Sequence, residues 1–178
     1  MPPHCRSDRP LWHDIGVWTM PALFQSICKT AQGYGEDNDC TVKAIALTCG
    51  ADYSVAHMAA ACAGRKPGRG LVRGATFKAI KSLGFDVVRI PIPTDARTMK
   101  SLPAAMKQAG YSEGNFLVYV SGHVAAFING TVEDWSQNRM FRIKYIYMVV
   151  PQGTTIPTPT PMPQKAIWCG GPCIIRNF

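Results

Sequence analysis

The Asn129-Gly130 pair constrains this chain more than any other feature, because it sits between the apolar run 123–128 and the return Thr131-Val132-Glu133-Asp134-Trp135. Asn-Gly is the strongest two-residue hairpin signal, since both residues tolerate the positive φ that a tight turn demands. With those two residues as the loop, Ile128 faces Thr131, Phe127 faces Val132, Ala125 faces Asp134 and His123 faces Ser136. The strand period of two then puts His123, Ala125, Phe127, Val132, Asp134 and Ser136 on one face. Glu133 and Trp135 point the other way. His123 and Asp134 become diagonal neighbours within reach of polar side chains.

More strand surrounds the hairpin. Residues 115–120 are a strand by composition, Ser121-Gly122 is a break, and the tyrosine-, isoleucine- and valine-rich stretch 139–150 supplies one long strand. Residues 85–91 read as a strand or extended run. The first half is helical: 22–29 opened by Pro21, a helix from Cys40 stopped by Gly50, 55–63 capped by Ser54, and 76–83 closed by Gly84. Residues 98–109 continue as helix, with Pro103 in the first turn. Helices first and strands afterwards predict an α+β fold, not the alternation of a doubly wound sheet.

Asp37-Asn38-Asp39 offers capping oxygens ahead of Cys40, and Val42, Ile45 and Ala46 follow at helical spacing, so Cys40 belongs in the first turn of a buried helix. A helix start favours thiolate over thiol and can hold a developing oxyanion. A lone cysteine is more often a small apolar filler, a lone strand histidine a satisfied structural one, and an aspartate after a hairpin a surface charge. Together the three residues supply nucleophile, base and orienter of a thiol triad. His123 deprotonates or ion-pairs with Cys40, the thiolate attacks a carbonyl, and Asp134 fixes the ring tautomer.

Asn38-Asp39-Cys40-Thr41-Val42 before an alanine-rich helix, the Gly64-Arg65-Lys66 loop, Ser121-Gly122-His123-Val124, and the hairpin to Asp134-Trp135 carry a resemblance. The chain resembles phage-encoded papain-like cysteine peptidases and, more remotely, is similar to the bacteriocin-processing peptidases of that fold. The likeness spans roughly residues 32–150 and implies a helical half carrying the nucleophile, packed on a C-terminal antiparallel sheet. By position it implies Cys40 as nucleophile, His123 as base and Asp134 as orienter, acting on a peptide or isopeptide bond in a host cytoplasm or a virion. The family usually has an oxyanion glutamine six residues before the cysteine. Tyr34 stands there in this chain, which leaves Gln32 and Asn38 as candidate amides.

The 178 residues, 47% hydrophobic and 17% charged, suffice for one core, at 32–150, preceded by an arm and short helix at 1–31. A Pro/Thr-rich spacer at 151–165 leads to an apolar docking tail at 166–178. An odd count of seven cysteines at irregular spacing argues against a disulfide framework. Neither a signal-peptide pattern nor a run of membrane-spanning length is present in the sequence, so a soluble protein that binds no membrane is expected. The net charge of +8 makes a mildly attractive field for acidic partners. Its one cluster, Arg65, Lys66, Arg69 and Arg73, reads as a rim for an acidic substrate or phosphates, or as a solvated loop.

His57 reads as a packed or partly exposed helix residue. Cys169 and Cys173 with His4, Cys5 and His13 would need the termini to meet and lack a second sharp knuckle, so no metal is expected, and no cofactor motif is present. Two rivals to the hydrolase remain. One is a non-catalytic papain-like virion or interaction protein that docks to a phage assembly or host protein through 166–178. The other, weaker one is a nucleic-acid binder using the basic loop.

Overall fold

The computed structural model describes residues 21–36 and 38–154. The arm at 1–20, Asp37 as a capping residue, the spacer from 155, the tail at 166–178 and the His4, Cys5, His13, Cys169 and Cys173 set lie outside the described residues. In chain order the elements are α1 (Ala22–Gln32), α2 (Cys40–Cys49), α3 (Tyr53–Cys62), α4 (Arg73–Ser82), β1 (Phe85–Ile90), α5 (Leu102–Gln108), β2 (Asn115–Val120), β3 (His123–Ile128), β4 (Thr131–Glu133) and β5 (Tyr145–Pro151). The strands form one antiparallel sheet in the order β1-β5-β2-β3-β4, so the fold is α+β as expected.

The hairpin has the register that its turn dictates, with Ile128 opposite Thr131 and Phe127 opposite Val132. Asn129 (φ 45°) and Gly130 (φ 86°) both take positive φ, the requirement of a type I′ turn. Alternation along the strands then sorts the sheet into two faces. Leu117, Val124, Tyr147 and Val149 pack with residues of α1 to α4. Phe116, Val118, Ala125, Phe127, Val132 and Ile146 pack with Leu102, Ala105 and Met106 of α5. The helices therefore cover both faces of the sheet, and β1, which precedes α5 in the chain, pairs with the last strand.

Several boundaries differ from the sequence expectation. The helix at 98–109 shortens to α5 because Met99, Lys100 and Ile143 spend their backbone donors across a gap, on Phe141 O, Arg139 O and Arg97 O. The same exchange keeps 139–144 out of β5. Ser54 is not a cap: Asp52, in extended conformation, precedes Tyr53 at the start of α3. Arg73 is the first residue of α4 and not part of the preceding loop. α1 buries Phe24, Cys28 and Ala31 in the common core, so 22–31 belong to the same body as the residues after them. Gly50, at φ 61°, ends α2 as expected.

Gly130→Ala would force a Cβ onto positive φ and to within 3.3 Å of the Ser112 carbonyl oxygen. A loss of about 1–2 kcal/mol of unfolding free energy is expected from the left-handed backbone, read as a lowered urea midpoint at unchanged slope.

Candidate active site

Cys40 is the first residue of α2, and α2 lies across β3, so the start of the helix meets the start of the strand. There the His123 ring and the Val124 backbone N–H act on the Cys40 sulfur, and the Thr41 hydroxyl lies 4.0 Å from it. The other side of the ring is fixed, since Nε2 lies 2.8 Å from Asp134 Oδ2. With Nε2 so engaged, the ring nitrogen left for the sulfur is Nδ1. Asp134 is itself held by the Ser136 backbone N–H, which donates to the same carboxylate oxygen at 2.8 Å. The His123 side chain is 11% exposed and that of Asp134 5%.

Burial by itself would hold the thiol protonated. The hydrogen bond and charge of His123, helped by the Val124 N–H, outweigh it and bring the Cys40 thiol below its ordinary range. Burial equally opposes a charged imidazole, yet the hydrogen bond and charge of Asp134, with those of Cys40, raise His123 well above the usual histidine range. Both shifts favour the thiolate–imidazolium form of the pair over the neutral thiol and ring. Cys49, nine residues on in the same helix and without such partners, is pushed by burial up to about 11.

Trp135 departs from its expected orientation. β4 ends at Glu133, the alternation ends with it, and the indole comes to lie 4.9 Å from the His123 ring and 5.6 Å from Phe141, ring centre to ring centre. It covers the imidazole that Asp134 holds. Glu133 does point away from the triad: its carboxylate accepts the Phe24 backbone N–H at 3.1 Å and joins α1 to the hairpin.

The helix start is built differently from the expected cap. Asp39 occupies the N-cap position without making a capping bond. Its buried carboxylate instead accepts the Tyr53 hydroxyl at 2.9 Å and pairs with Lys43 at 2.8 Å. Neither oxyanion candidate hydrogen-bonds Cys40. Asn38 donates its amide to the Gly68 carbonyl at 3.0 Å, and Gln32 is the exposed last residue of α1. Tyr34, six residues before Cys40, lies against the rings of Tyr53 and His57 at 5.0 and 5.3 Å between centres.

Arg65 is a correction to the proposed basic rim. Its side chain is 2% exposed and grips Glu36 through two bonds, of 3.0 and 2.8 Å, with a third to the Asn38 carbonyl at 3.3 Å. His57 lies 2.9 Å from the same carboxylate, and the Gly68 N–H donates to it at 2.8 Å. A buried arginine spent on a carboxylate and the chain before Cys40, its Nε sealed in without a partner, presents no donor to a substrate at the surface. Lys66, Arg69 and Arg73 are exposed. The sequence could not show this strut, because its partners are 29 residues apart on two loops.

No family model matches the sequence, and neither a curated protein nor a solved structure is significantly similar to it. Among the described residues no cluster of histidine, cysteine and acidic side chains suits a metal ion, and no helix is long and apolar enough to cross a membrane.

Glu36 is held down at about 2, chiefly by its Arg65 hydrogen bonds against an opposing burial effect, with His57 and the Gly68 N–H assisting. A depressed carboxylate stabilises the fold above its unfolded value and ceases to do so as pH falls through its folded one. Acid unfolding should therefore draw on this group between about pH 4.5 and 2. Arg65→Ala leaves the carboxylate buried without its partner. A loss of about 3 kcal/mol in urea at pH 7 is expected, and the variant's acid transition should shift to higher pH.

Proposed function

We propose that the protein is a thiol hydrolase of papain-like architecture, of the phage-encoded kind that its sequence resembles, cleaving a peptide or isopeptide bond. The observation that carries this reading is the meeting of Cys40, at a helix start, with a His123 ring that acts on its thiol and is held by a buried carboxylate, Asp134, at 2.8 Å. The Cys40 thiolate attacks the carbonyl carbon, and the first-turn N–H groups of α2 face the developing oxyanion. The His123 imidazolium gives its proton to the leaving amine, which departs as the thioester forms. A water then loses a proton to the neutral ring and attacks the thioester, and collapse returns the carboxylic acid and the starting ion pair.

The unmatched glutamine bears on rate more than on type of reaction. In acyl transfer one oxyanion donor is worth about 10²–10³ in turnover. A chain that relies on backbone donors alone is a slow hydrolase with a reactive thiol. The rival virion or interaction role depends on 166–178, and the same measurements distinguish it.

Mass-spectrometric mapping after brief exposure to substoichiometric iodoacetamide tests the reading. Cys40 should be labelled ahead of Cys28, Cys49 and Cys62, with a rate that persists below the pH at which ordinary thiols fade and declines only as acid protonates the thiolate. His123→Ala removes the main lowering influence while burial remains, so the midpoint should move upward and labelling at pH 7 should slow by about tenfold or more. Asp134→Asn should give an intermediate shift. Equal labelling of Cys40 and Cys62, unchanged by His123→Ala, would overturn the proposal. Retained partner association in Cys40→Ala, lost on removing 155–178, would favour the docking role instead.

A further inference from the structure

The end of the sheet that meets Cys40 carries a second cluster, which the triad does not use. Tyr145 pairs with Tyr119 across β5 and β2, and Tyr119 pairs with Val124 across β2 and β3. All three side chains pack on the α1–α4 side of the sheet. This row runs from the N–H that acts on the Cys40 sulfur to a tyrosine flanked by two guanidinium groups. Arg73, at the start of α4, lies 4.3 Å from the Tyr145 ring centre, and Arg89, on the edge strand β1, lies 5.2 Å from it.

Both arginines are exposed. The ion pairs among the described residues occupy Glu36, Asp39 and Asp134 with other partners, and neither Arg73 nor Arg89 takes part in one. Arg73 is hydrogen-bonded to the Tyr145 side chain as well as lying over its ring. Two guanidinium groups are gathered on one ring, and although Arg73 spends a donor on the Tyr145 side chain, the donors left on both suit a carboxylate or phosphate. Two strand spacings separate Val124 from Tyr145, about 10 Å. An extended peptide covers that distance in about three residues.

Resting on the hydrolase reading, we propose that Arg73 and Arg89 on Tyr145 form an anion-selecting subsite, and that the substrate is a peptide with an acidic side chain two or three residues from the bond cleaved at Cys40. A peptide is favoured over nucleic acid because the adjacent thiolate, imidazolium and carboxylate form acyl-transfer chemistry. They offer nothing specific to a phosphodiester.

The test uses the full chain and a set of peptidyl vinyl sulfones that label Cys40, carrying Glu, Gln or Lys at the second or third residue from the electrophile. The wild type should react about fivefold faster with the Glu probe than with the Gln probe, the size of a solvent-exposed ion pair. That ratio should fall to about one in Arg73→Ala, fall partway in Arg89→Ala, and give way to preference for the Lys probe in Arg73→Glu. A ratio between two probes on one variant divides out any general loss of thiol reactivity or of folded protein. A ratio near one in the wild type, or a preference for Glu that survives Arg73→Glu, overturns the subsite and leaves the hydrolase reading standing. Failure of iodoacetamide to single out Cys40 overturns both. Suppression of labelling by a single-stranded oligonucleotide at low salt, with no effect of an acidic peptide, assigns the cluster to phosphate and also overturns the proposal.

Discussion

The Asp134 carboxylate is the group on which the chemistry at Cys40 depends. Burial acts against both members of the Cys40–His123 pair, favouring a neutral thiol and a neutral ring. The carboxylate at 2.8 Å on the far nitrogen favours the protonated ring, and the ring in turn favours the ionised sulfur. Asp134 has that role because the chain folds back on itself within two residues, so that the Ser136 N–H holds the carboxylate in place. The Asn129-Gly130 turn sets the register that delivers Asp134 to the end of β3. A one-residue slip there would move the acid to the opposite face.

The nucleophile is fixed from the other direction. Glu36 and Arg65 tie the chain ahead of α2 to the loop after α3, and Asn38 adds a bond to Gly68 in that loop. Asp39, immediately before Cys40, is anchored to Tyr53 and Lys43. Each carboxylate pairs inside the protein on behalf of one end of the triad: Asp134 for the base, Glu36 and Asp39 for the helix start. Buried ion pairs of this kind add little net stability, because desolvation offsets their attraction. What they supply is a defined position for the backbone on both sides of the sulfur.

How much of this was legible in the sequence depends on the range of each interaction. The hairpin, the β2 and β3 strands and the start of α2 are governed by neighbours within a few residues, and turn chemistry with periodicity located them. His123 and Asp134 are 11 residues apart within one hairpin, so register alone could join them. Trp135 escaped because alternation was extended past the last paired residue, Glu133. The α5 boundary and the end of β5 escaped because 97–100 and 139–143 exchange backbone bonds that no local pattern records. Arg65 carried a loop signal that was correct for its backbone and uninformative about its side chain. The Tyr119–Val124 pairing was within reach: a tight turn at Ser121-Gly122 puts Val120 opposite His123 and Tyr119 opposite Val124.

The distribution of charge links these observations. The chain has 19 lysines and arginines against 11 acidic residues, and three of its carboxylates are withdrawn into the network around Cys40. Exposed cations at Lys66, Arg69, Arg73 and Arg89 are left in excess on the segments that flank the helix start. Exposed positive charge draws in anionic ligands, whereas the Cys40 thiol is lowered by His123, the Val124 N–H and Thr41. These contributions differ in their response to salt. The imbalance at the surface is screened within about 8 Å at physiological ionic strength, whereas the buried His123–Asp134 contact is screened far less. Thiol activation is therefore an internal property of the fold, and attraction of an acidic partner a property of its surface.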